Sequence, residues 1–223
     1  STSRGLGDVY KRQSMGGISV NVWQEMLSGD NGDPVNDILK KQYDVVYGTW
    51  PSKYDEVVLV LDENNELDDT TLYALGLESE EEMGKIITAA IDGTKLEEKS
   101  SQKWSYEEIC NMEFKTILNS DCYSYDEKTG LYTDLRETDA GLKYLYDNAL
   151  PLKVSGIIRP NEDAETTMLS GSIGYTSDLT KYVIENSHNS DVIKAQLDDP
   201  SNDIFTGLPF HETTGDLTDE EKN

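Results

Sequence analysis

The sequence predicts an α+β fold, a small core with a second lobe inserted in it, and three observations carry that reading. Val57-Val58-Leu59-Val60-Leu61 is an unbroken apolar run bounded by polar turns. "PLKVSGIIRP", residues 151–160, is a second Val/Ile-rich stretch far along the chain. Between them lies a block of capped helical patterns and one hairpin, at about 79–146. So short a Val-rich run suits a strand buried on both faces better than a helix.

Taken in order, residues 1–13, "STSRGLGDVYKRQ", hold Arg4, Lys11 and Arg12 against the single acid Asp8 and read as a non-native or disordered tail. "VNVWQEML" and "NDILKKQY" read as helical pieces around the turn-rich "SGDNGDP". Asp44 to Tyr47 reads as a short strand, Gly48 to Lys53 as a turn stiffened by Pro51, and Glu56 to Asp62 as a strand. Asp68 or Asp69 caps a helix, "TTLYALGL", that stops at Gly76. Ser79 and Glu82 fit a capping box before a helix ending near Gly93, and Ser105 and Glu108 repeat the pattern before "EEIC". "MEFKTIL" alternates as a strand, and "SYDEKTGLYTD" is a hairpin turning at Gly130.

Thr138 caps the amphipathic "DAGLKYLYDNAL", with Leu142, Leu145 and Tyr146 on one face. After the strand at 151–160, "NEDAETTMLSGSIG" reads as a loop. A helix starts at Tyr175–Asp178 and a last one covers "DVIKAQL". "NDIFTGLPF" is expected as an edge or exit strand, and the acidic tail from His211 as frayed. These elements divide into a core subdomain at 14–78 plus 147–210, an inserted helix and hairpin subdomain at 79–146, and an acidic tail at 211–223.

Charge narrows function. The chain carries 19 Lys plus Arg against 44 Asp plus Glu, a net of −25. Such a surface repels phosphate backbones and anionic headgroups, which excludes nucleic acid as a partner. No run nears the roughly 18 apolar residues of a membrane span and no signal peptide is visible, so the expectation is a soluble piece of something larger.

Catalytic equipment is sparse. His188 and His211 sit in polar contexts without a partner at metal-ligand spacing. Cys110 and Cys122 match no metal motif and are too few for a disulfide scaffold. They either pair in an oxidising compartment or stay free, and free thiols are expected. "GSIGYTS" lacks the lysine of a phosphate loop and has no clear strand before it, so it reads as a hinge-like turn. "DENNELDD" and "DEKTGLYTDLRE" miss the glycine or ligand positions of an EF-hand. No catalytic, cofactor-binding or metal residue is assigned, and no cofactor is expected.

The stretch 43–61, with "TLYALGL", "LKVSGIIRPNEDA" and "SIGYTSDLTKYVI", resembles the extracytoplasmic domain of MacB-like (FtsX-type) ABC transporter permeases of Gram-positive bacteria. The turn reads Gly48-Thr49-Trp50-Pro51 before Glu56-Val57-Val58-Leu59, and the later strand reads Lys153-Val154-Ser155-Gly156-Ile157. The resemblance spans roughly residues 20 to 210. It implies a βαβ-type mixed-sheet subdomain with an inserted α/β subdomain, as in the MacB periplasmic core. It also implies a non-enzymatic domain on the extracellular side of the membrane that couples transmembrane-helix motion to extracellular substrate handling or peptide sensing.

The partners implied are the permease's own transmembrane helices, a separate or fused ATP-binding subunit and a second protomer in the intact transporter. Two alternatives stand beside it: a secreted or lipid-anchored peptide- or sugar-binding protein, and a hydrolase with an unrecognised carboxylate pair.

Overall fold

The computed structural model describes residues 22–62, 64–78, 81–82, 84–85, 88–89, 103–164 and 166–210. Its centre is the apolar run, now strand β3 (Glu56–Val60). β3 lies between β7 (Leu150–Pro160), which runs parallel to it, and β8 (Ile173–Tyr175), which runs antiparallel. β1 (Trp23–Glu25) extends the sheet beside β8 and β2 (Tyr43–Gly48) closes it beside β7. A short strand, β4 (Phe114–Thr116), pairs with the first residues of β7. The class is therefore α+β with a mixed sheet.

Side chains alternate across β3 as the pleat requires. Val57 and Leu59 join one core cluster with Val154, Ile157 and Ile173. Val58 joins the other, with Met26, Leu39, Tyr43 and Ile158. The strand is buried on both faces, as its composition predicts, and each such side chain contributes about 1.5–3 kcal/mol.

The turn after β2 answers to β7. β2 and β3 flank β7, so residues 49–55 must cross over it. Ser155 is the extra residue of a bulge between the pairs Val57↔Val154 and Val58↔Gly156. Its carbonyl accepts from Thr49 N at 2.9 Å, and its Oγ donates to Thr49 O at 3.1 Å. A Cβ on Gly156 would stand 2.3 Å from Thr49 O, and one on Gly48 2.2 Å from Ser155 O. Gly48 also has φ +72°. Two glycines here permit a backbone crossing that no other residue allows. Glu56 fastens the turn from below, its carboxylate accepting from Ser52 N at 2.8 Å, Ser52 Oγ and Lys53 N. Burial alone would raise its pKa, but these bonds outweigh it and hold the carboxyl below its usual range.

Helices follow their caps. α1 (Asp37–Gln42) is capped by Asn36, α2 (Asp69–Ala74) by Asp68 and α3 (Tyr106–Asn111) by the Ser105–Glu108 capping box. α4 (Asp139–Asn148) is capped by Thr138, and α5 (Ser177–Asn189) by the buried Thr176. α6 (Asp191–Asp198) follows α5 directly. The strands β5 (Tyr123–Asp126) and β6 (Leu131–Asp134) form a separate hairpin. The capping box at Ser79 lies outside the described residues, as do both tails.

Several expectations fail. Within "VNVWQEML", expected to be helical, Trp23–Glu25 is instead β1, paired with a strand far away in sequence. "GSIGYTS" is not a hinge-like turn, because Ile173–Tyr175 fills the slot beside β3. "NDIFTGLPF" forms turns with one isolated bridge, Asn202↔Pro209, in place of a strand. On α4, Leu145 is buried but Tyr146 is exposed, with Lys115 Nζ 4.5 Å from its ring centroid. Surface tyrosine here packs against a cation and not against the core.

Candidate functional site

A cleft of about 840 Å³ opens where α3 faces the loop after β3. Its floor is apolar: Leu61, Ile109 and Ile157 are each at most 5% exposed. Trp104 and Tyr106 form one wall, and Leu67 and Leu72 stand opposite, while Glu66, Asp69, Glu78 and Lys103 ring the mouth.

Polar bonds fix both walls. Ser105 N donates to Glu108 Oε2 at 2.7 Å and Glu108 N donates back to Ser105 Oγ at 3.1 Å. The Ser105 N–H and hydroxyl hold the Glu108 carboxyl below its usual range. On the other wall Asp62 Oδ1 accepts from the N–H groups of Asn64 and Glu66, both at 2.8 Å. Asn65 takes φ +61°, and its Oδ1 accepts from Arg159 Nη1 at 2.8 Å, which ties the turn to β7. Asp68 Oδ1 accepts from Thr71 N at 2.6 Å and its Oδ2 from Ser172 Oγ at 3.2 Å. Asp62 and Asp68 of "DENNELDD" thus serve as turn and cap acceptors. Asp126 does the same in the hairpin, accepting from Lys128 N and Thr129 Oγ1. Among the described residues no group of three or more side chains is placed to hold a metal ion.

The candidate nucleophiles and bases are dispersed. Cys110 is on α3 and half-buried, Cys122 is buried at the end of a 3-10 turn, and no disulfide joins them. Burial pushes the Cys110 thiol up against a smaller opposing pull from Lys153, so the thiolate is disfavoured. His188 is exposed near the end of α5, and His211 lies outside the described residues.

The arrangement suits reversible binding: an apolar floor supplies affinity and a charged rim selects. The sequence reading missed this cleft and gave Trp104 no role. A tryptophan and a tyrosine two residues apart on either side of an N-cap serine are the signal that was there to use. No helix among the described residues is long and apolar enough to cross a membrane. No family model, curated protein or solved structure matches the chain.

Proposed function

We propose that this chain works as a non-enzymatic extracytoplasmic domain of an ABC transporter permease of the MacB/FtsX type, relaying transmembrane-helix motion to extracellular substrate handling or peptide sensing. One observation carries the reading. The two motifs behind the resemblance, Gly48–Leu59 and Lys153–Ile157, meet in space at the Gly48–Gly156 crossing, so they act as one unit. A parallel pair, β3 and β7, separated by residues 61–149 in sequence and adjacent in space, is a suitable frame for passing motion outward. The partners on this reading are the permease's own membrane helices, an ATP-binding subunit and a second protomer.

The test is to read the parent gene outward from both ends. Apolar segments of about 20 residues on each side, beside a gene for an ATPase, are the expected result. A signal peptide in front with a stop codon soon after Asn223 overturns the proposal. The 840 Å³ cleft favours a second reading, a peptide-binding protein. Saturable peptide binding near 1 μM, about −8 kcal/mol, abolished by Trp104→Ala, supports it, and no binding removes it.

A further inference from the structure

The mouth of the cleft in front of α3 is unevenly charged. Glu66, Asp69 and Glu78 stand there against a single ammonium, Lys103. Asp69 opens α2 and spends part of its charge on that helix's N-terminus. Glu66 and Lys103 are exposed, and neither forms an ion pair among the described residues. The rim is thus net negative, on a chain whose total is −25. A ligand carrying negative charge meets repulsion at the mouth and over the whole approach, whereas a cationic one is drawn in.

Behind that rim lies a concave apolar surface. The floor of Leu61, Ile109 and Ile157 receives an apolar side chain, and the wall of Trp104 and Tyr106 favours apolar groups and cations alike. The volume, about 840 Å³, falls within the range of ordinary ligand pockets and has room for several heavy-atom groups. The aromatic wall also continues outside the cleft. The Tyr106 ring lies 6.2 Å from that of Tyr47 on β2, the outermost strand on that side of the sheet among the described residues, and Tyr47 is 39% exposed. A ligand longer than the cleft therefore finds further aromatic surface beyond it, which favours a peptide over a compact organic cation. A second copy of this chain is a poor occupant, because its own surface is just as acidic.

We propose, on the peptide-binding reading of this cleft, that its ligand is a basic amphipathic peptide. One or two bulky apolar side chains rest on the floor against Trp104, and a neighbouring lysine or arginine stays at the mouth, on the Glu66 side. The apolar residues supply most of the affinity. The flanking cations choose among peptides and speed the encounter.

The test is an NMR titration of the whole chain with three end-capped hexapeptides: Gly-Lys-Leu-Phe-Lys-Gly, its acidic twin Gly-Glu-Leu-Phe-Glu-Gly, and Gly-Lys-Ala-Ala-Lys-Gly. The first should give saturable shifts at amides of residues 64–67 and 103–109. The acidic twin should bind at least tenfold more weakly, and the alanine peptide should leave those amides unmoved. Glu66→Lys should weaken the first peptide about tenfold and Lys103→Glu should tighten it about threefold, both at exposed positions where the fold is not at stake. Trp104→Ala should remove the shifts, and should that variant unfold, the two rim variants decide. Equal affinity for the lysine and glutamate peptides overturns the proposal but leaves the cleft a peptide site. No saturable shift from any of the three overturns both. Shifts scattered over the acidic surface that survive Trp104→Ala overturn the proposal as well.

Discussion

The β3–β7 pair and the β5–β6 hairpin are both two-strand contacts, yet different forces hold them. Along β3 the three central residues are buried, and Ile157 and Ile158 of β7 are fully so. No residue of β5 or β6 is buried. The first pair is cemented by side chains on two faces and by a glycine crossing with no spare space. The second rests on turn chemistry: Asp126 accepting from Lys128 N and Thr129, Gly130 at φ +72°, and a clamp at its far end where Arg136 bonds Asp134 and Tyr123. The difference separates burial, which resists substitution, from local polar geometry, which tolerates it.

The largest effect expected is from Ile157→Ala, which deletes a fully buried side chain and destabilises by about 3–4 kcal/mol. Leu131→Ala, in the half-buried hairpin, should cost about 1 kcal/mol. Urea midpoints measure both, and equal losses would erase the distinction. The glycines give a sharper contrast. Gly156→Ala drives a Cβ to 2.3 Å from Thr49 O, and about 2–3 kcal/mol is expected. Gly130→Ala meets only Tyr125 Oη at 3.9 Å, so the strain of its positive φ alone, about 1 kcal/mol, remains.

Smallest is the hairpin clamp. The hydrogen bonds from Arg136 hold the Asp134 carboxyl below its usual range. A lowered folded pKa adds stability above the unfolded value, about 3.9, which is lost as pH falls through the folded one. Asp134→Asn should therefore lower stability by about 0.5–1 kcal/mol at pH 7. Thermal unfolding should find that gap closing as the pH falls below the ordinary carboxylate range. A gap that persists there would mean that Asp134 acts through shape alone.

Much of the core was legible because its signals are local. An unbroken Val run, Pro51 after Gly48, and Ser or Thr three residues before a backbone N–H each encode their own structure. The Ser105–Glu108 box and the Asp68 and Thr138 caps stand where the spacing puts them. β1 and β8 were not legible, since three residues carry too little periodicity: β8 is a strand because β3 has an open edge to fill, and β1 because β8 then offers one. The cleft was hidden for a related reason. Its floor comes from β7, α3 and the residue after β3, and no one stretch of chain announces the combination.

The crossing at Ser155 has a consequence in time. Ser155 Oγ bonds Val57 O across 98 residues of chain. A ribosome adding roughly 5–20 residues per second leaves β3 without that partner for about 5–20 seconds. During that wait Val57–Leu61 is a bare β-forming segment, the kind that joins its own copies. Glu56 and Asp62 stand at its two ends, and charges so placed delay such pairing. Glu56 therefore guards the strand first and fastens the turn afterwards, once β7 has arrived.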